Sequence, residues 1–282
     1  MRAASNRNRH RLIVLAVFAS TAATAAPSVK DVMRRAGAYI DAYGERASIV
    51  VATENYRQEA QGNTNAYHGE RSTVAEFAIV KIDAVTAWQG FRDVLSVDGY
   101  ALEGGRTRLI DSLMGGPGGY LEARRLSDES ARFNIGIIER NFNVPTTALF
   151  FFRRENHDRF KFAAKEPENG IWRIAWRETY KPTFIRSPSG TSVPAQGELW
   201  VDPADGTIRR TVLMAEMEGR NGNKGNGRVD VTYRYVDAIG MWLPSTMDEE
   251  WMTTAPKGAW ERINAHAAYS NYRQFTTSGR IK

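Results

Sequence analysis

The sequence predicts an α+β protein: a large, curled antiparallel sheet with an N-terminal helix and a helical insertion covering its concave face. Three observations predict it. An apolar stripe with three- and four-residue spacing occupies residues 28–43. Period-two alternation takes over from Ala47 and dominates after Asp158. Between those two strand-rich stretches, residues 104–152 return to helical spacing around a glycine-rich joint. A sheet of many long strands is expected to twist and curl rather than lie flat.

The first helix is expected over Ser28 to Tyr43, with Ser28 capping and Asp31 three residues on. Val29, Val32, Met33, Ala36, Ile40 and Tyr43 give it one apolar side, which must lie on a sheet. Ile49 to Glu59 then reads as a strand that starts buried and becomes half-solvated. Turn-rich Gln61 to Glu70 joins it to a second strand, Arg71 to Asp83, and Phe91 to Val97 makes a third. Helices are expected over Arg106 to Met114 and Tyr120 to Phe133, joined by Gly115 to Gly119. Pro145 to Phe152 fits a short helix or a buried strand equally. The remainder is strand: Trp172, Ile174 and Trp176 alternate with polar residues, as do Val229, Val231, Tyr233 and Tyr235. Asp202 to Gly206 and Asn221 to Gly227 read as hairpin tips, and Leu243 to Trp251 and Trp260 to Phe275 as the last strands.

The N-terminus carries an address. Arg2, Arg7, Arg9 and Arg11 precede an apolar core, Leu12 to Ala19, and a run of small residues ending in Ala23-Thr24-Ala25. This reads as a secretory signal peptide over residues 1–26, cleaved near Ala25/Ala26, which leaves 27–282 as a single domain. About eight apolar residues reach roughly 12 Å as a helix, far short of the ~30 Å hydrocarbon core, so no membrane span is expected. A periplasmic or secreted protein follows. Four of the 38 Lys and Arg fall in that leader, leaving 34 against 32 Asp and Glu. Such a balance speaks against nucleic acid as a partner and against an anionic membrane as the main one. The absence of cysteine excludes a disulfide framework, thiolate metal sites, a Cys nucleophile and a lipid-modified cysteine anchor.

No catalytic motif stands out. His68, His157 and His266 show no metal-ligand spacing, so neither a metal nor a cofactor is expected. There is no G-x-S-x-G elbow, and the glycine segments match no phosphate-binding loop. In Asp248-Glu249-Glu250 only Asp248 and Glu250 share a strand face, and a solvated face explains them. The tryptophans are more informative. Five of the seven (Trp172, Trp176, Trp200, Trp242 and Trp251) fall between residues 170 and 255. Their strands present an apolar face that is either packed core or a pocket. The candidate ligand-binding residues on that face are Trp172, Trp176, Leu199, Val201, Val231 and Tyr233.

Gly197-Glu198-Leu199-Trp200-Val201-Asp202, continuing to Gly206 and Arg210, is followed by the strand Val229 to Tyr235 and by Trp242-Leu243-Pro244. This resembles the second half of the exported lipoprotein-carrier and lipoprotein-localisation superfamily, where a W-x-D-x-x-x-G-x-x-x-R hairpin precedes a strand ending in L-P. The segment Tyr43 to Gln58 is similar to the start of a group of secreted bacterial proteins. The resemblance implies a half-barrel with helices over an apolar concave face, and a lipid or acyl chain as ligand. The resulting expectation is an exported, non-enzymatic lipid-binding protein. A structural or interaction module with an envelope protein partner and no ligand is the alternative, and a hydrolase with a dispersed site ranks last.

Overall fold

A computed structural model describes residues 27–46, 49–82, 87–103, 107–115, 118–138, 140, 142–187, 190–219 and 222–275. The expected signal peptide lies outside the described residues. Helix α1 (Val29–Arg46) starts at the expected cap. Ser28 Oγ donates to Asp31 Oδ2 (2.7 Å) while the Asp31 amide donates back to Ser28 Oγ (3.2 Å). The stripe Val32, Met33, Ala36, Ile40 and Tyr43 is fully buried.

Strands β1 (Ile49–Gly62), β2 (Gly69–Ile82), β3 (Ala87–Val97) and β4 (Tyr100–Ala101) form an N-terminal meander. Helices α2 (Arg108–Met114), α3 (Gly119–Ala131) and α4 (Thr147–Phe151) follow, then a 3-10 turn, Arg154–Arg159. A second set comprises β5 (Phe160–Ala164), β6 (Trp172–Glu178), β7 (Ile185–Arg186), β8 (Ser192–Val193), β9 (Ala195–Val201), β10 (Ile208–Glu218), β11 (Lys224–Val236), β12 (Met241–Thr254) and β13 (Trp260–Phe275). Eleven of the strands make one antiparallel sheet in the order β4-β3-β2-β1-β13-β12-β11-β10-β9-β6-β5, and β7 and β8 pair separately. The sheet does not close into a barrel: β4 and β5 stand at its two edges.

The segment that fitted helix or strand is the helix α4, which begins just after Pro145 and buries Ala148, Leu149 and Phe151. Lys224 to Gly227 belongs to β11, so the tip expected over 221–227 is shorter by four residues.

The insertion does not stay on one face. On β1, Val50, Ala52 and Tyr56 join the apolar cluster that holds α1 and α4; this is the inner face. Ile49 and Val51 point to the other side, where they meet Leu109, Leu113, Ala123 and Leu126 of α2 and α3. Expected on the concave face, this helical pair instead covers the outer side and one edge of the sheet. The physical reason is an otherwise open strand edge. The amides of Arg92 and Val94 on β3 donate to Ser127 Oγ (2.8 Å) and Ser130 Oγ (3.0 Å) of α3.

Helix α1 sits at one end of the inner face. Arg35 donates to the Pro203 carbonyl in the β9–β10 turn, and Arg46 donates to the Gly240 carbonyl in the β11–β12 turn. Gly206 has φ +82°, and a Cβ there would run into the backbone of Arg35 and Ala36, so glycine lets the helix lie on the turn. The hairpin tips at the opposite end carry no such helix, and a cavity of the inner face lies there.

Candidate ligand site at the open end of the inner face

Between Phe133 and Pro145 the chain crosses the inner face as a strap; residues 139 and 141 within it lie outside the described set. Its anchors are buried polar groups of the sheet. Gln58 Oε1 accepts from the Ile135 amide (3.2 Å) and from Arg140 Nη2 (2.6 Å), while Gln58 Nε2 donates to the Phe133 carbonyl (3.2 Å). Arg140 Nη1 donates to Tyr56 OH (2.9 Å). Glu261, fully buried, accepts from the Ile137 amide (2.7 Å), and Tyr233 OH donates to the Pro145 carbonyl (2.7 Å).

These anchors continue into a network within the sheet. Tyr56 OH donates to Glu249 Oε1 (2.9 Å), and Trp251 Nε1 to Glu249 Oε2 (2.7 Å). Glu54 pairs with Arg92 and accepts from Tyr269 OH (2.8 Å). Burial holds the Glu249 carboxyl above its ordinary value, although Arg140, the Trp251 indole, the Tyr56 hydroxyl and Arg92 pull the other way. Burial also raises the Tyr56 and Tyr269 phenols, which keeps them protonated as donors.

The strap and the sheet enclose a cavity of about 310 Å³. Ile137, Ile138 and Phe142 form its strap wall, Ile185 and Val193 one side, and Ala215, Gly227 and Trp251 its sheet wall. Phe142 packs on Trp251 with ring centroids 4.6 Å apart. Gly227 permits this, because a Cβ at that position would collide with both rings. A second cavity of about 230 Å³ adjoins it, sharing Ile137, Met217, Gly225 and Thr253, and reaches Trp260 and the hairpin tips. Most of the polar groups behind these walls bond one another, and the lining is mainly apolar, with Arg186, Ser187, Asn226 and Thr253 among it.

The six residues expected to bind a ligand share the inner face but not the cavity. Trp176, Leu199, Val201, Val231 and Tyr233 are buried in the main apolar cluster, and Trp172 is half-buried against it. Trp176 is enclosed by Phe152 (centroids 5.0 Å) and Phe160 (5.7 Å). Alternation places the six on the inner face, where α1 and α4 pack that part of the sheet. What sequence reasoning missed is the strap, an aperiodic stretch. One usable signal lay in Gly225 and Gly227, glycines two apart on one strand face, which mark a close approach.

Among the histidines, His68 Nε2 lies 3.4 Å from Glu261 and 3.2 Å from Thr64 Oγ1, while His266 pairs with Asp248 at 2.7 Å on the exposed side. Asp248 and Glu250 are solvated as expected, and Glu249 between them is the buried carboxylate. Among the described residues no cluster of three or more His, Cys, Asp or Glu is placed to hold a metal ion.

No protein-family model matches the chain. No curated protein matches it. A crystal structure of a DUF1329 family protein from Desulfovibrio piger at 1.75 Å is similar at 11% identity, over 89% of this chain and 95% of that one, with a TM-score of 0.33. That likeness is distant, and no residue of the site is carried over from it. The resemblance to lipoprotein carriers is not confirmed; what stands is the large antiparallel sheet.

Proposed function

We propose that this protein binds an apolar ligand of the acyl-chain class, without catalysis, in the cavity beneath the strap. The observation that carries the reading is the cavity itself, about 310 Å³ of mainly apolar space adjoining a further 230 Å³. That lies at the lower end of the range for small-molecule sites. Each methylene buried there contributes about 0.8 kcal/mol, so a chain needs no charged anchor to be held. Among the described residues no helix is long and apolar enough to cross a membrane. With the leader read over residues 1–26, the proposed workplace is the cell envelope or beyond it.

Gly225→Phe tests the site. A Cβ at Gly225 meets only Thr253 Cγ2 at 3.8 Å and the Met252 carbonyl at 3.9 Å, so a ring enters the space that the two cavities share. A fluorescent fatty acid should bind the wild type and lose most of its affinity for the variant, with the melting temperature unchanged. Equal binding by both proteins would remove this cavity from consideration.

A further inference from the structure

We infer that the hairpin tips around the cavity form a docking surface for an anionic lipid bilayer. Four loops rim the two cavities: 62–69, 186–192, 219–224 and 254–260. Their described residues carry Arg186, Lys224 and Lys257 and no Asp or Glu. On the strands behind them, Glu70 is paired with Arg57 at 2.6 Å and Glu261 is buried, while Glu216 and Glu218 are exposed carboxylates at the end of β10. The turns at the opposite end are acidic, and the cations that meet them, Arg35, Arg46 and Arg209, come from α1 and β10. These turns, at 165–171, 202–207 and 237–240, hold Glu166, Glu168, Asp202, Asp205 and Asp237 against Lys165 alone. The near-neutral balance of residues 27–282 therefore hides a difference between the loops at the two ends: basic at the cavity rim, acidic at the other.

The same rim exposes apolar side chains. Of the nine large hydrophobics exposed among the described residues, four stand at this end: Ile137 (58%), Tyr67 (57%), Met217 (41%) and Trp260 (36%). Ile137, Met217 and Trp260 also line the cavities. Tryptophan and tyrosine favour the headgroup layer of a bilayer, and isoleucine and methionine the acyl layer beneath. Lysines beside them meet anionic headgroups. An anionic bilayer complements both the charge and the greasy rim over a flat surface. It also meets the cavity mouth, so an acyl chain could pass between bilayer and protein without crossing water. In that last respect the inference rests on the proposed function; the docking surface itself does not.

The test is flotation with vesicles of phosphatidylcholine alone or with phosphatidylglycerol, on the full chain and two variants. Any contribution of residues 1–26 is common to all three proteins. The wild type should float with anionic vesicles and do so less as salt rises. Lys224→Ala with Lys257→Ala should weaken that binding about 25-fold, roughly fivefold per lysine. Ile137→Asp should abolish it at every salt concentration. Wild-type protein that ignores anionic vesicles, or variants that bind them as the wild type does, would overturn the inference. So would a dimer in solution that Ile137→Asp dissociates, because the rim would then belong to a second copy. Fatty-acid binding in vesicle-free buffer separates the two readings: a wild type that floats but takes no fatty acid sinks the proposed function and leaves docking standing. The converse result does the opposite.

Discussion

Around β5 and β6 the inner face is packed with rings from those strands and from α4 and its neighbouring loops. Phe151, Phe152, Phe160 and Trp176 pack edge-to-face and stacked, with Phe184 against them. On β1, β12 and β13 the same face carries Glu54, Tyr56, Gln58, Glu249 and Tyr269, equally buried, with Arg92 and Arg140 bonded among them. Both halves exclude water, but they do so with different directionality. Ring packing constrains volume and ring orientation but fixes no donor or acceptor. A buried charge network fixes donors and acceptors in place, and a missing member leaves its partner stranded. The strap is tied to the second half, so the charge network sets where the cavity wall stands.

The contrast is sharpest at Glu54. Glu54→Ala strands Arg92 and should cost about 3–5 kcal/mol, measured by urea unfolding. Glu54→Leu with Arg92→Met should recover most of that loss; a double variant as unstable as the single would show that the pair acts through shape alone. Next comes Arg140→Met, which removes hydrogen bonds to Tyr56 and Gln58 and should cost about 1.5–3 kcal/mol. It should also lower fatty-acid affinity, because Ile137, Ile138 and Phe142 lose their anchor. In the aromatic half, Phe152→Leu should cost less than about 1.5 kcal/mol and leave ligand binding intact. A larger loss there would erase the difference between the halves.

The smallest effect is a pH dependence. Glu249 has a folded pKa raised above its ordinary 4.5, so its contribution is full below that value and drains away as pH rises through the folded one. Asp230 runs the other way. Burial pushes it up, but Arg210 and Arg228 pull it further down, below its ordinary 3.8. Its contribution is present above 3.8 and lost as pH falls through the folded value. Urea midpoints across pH 3 to 8 should therefore decline at both limbs, and Glu249→Gln should flatten only the upper one.

Much of this molecule was legible in local pattern. The capped helix, the long hairpins and the alternating strands follow from spacing alone, because each buries one face against the next layer. The order of the strands was not legible, since no local signal says that β1 pairs with β13. Nor was the fate of the polar residues. Glu54 and Gln58 read as the solvated part of a strand, and only Arg92 and Arg140, remote in sequence, allow them to be buried. Leu199 and Val231 show the same limit from the apolar side. Alternation says which way a residue points, and the distant element that meets it decides between core and cavity.

The pairing of β1 with β13 has a consequence in time. Ile49 lies opposite Phe275 and Gly62 opposite Glu261, so the central seam of the sheet joins residues 199 to 226 positions apart. Closing so large a loop is slow, and nothing local can substitute for the missing partner. Until β13 has been synthesised, β1 has one open edge, α1 lacks part of its bed, and the two meanders remain separate. Among the described strands, β13 is the one that joins the two meanders and shuts the fold.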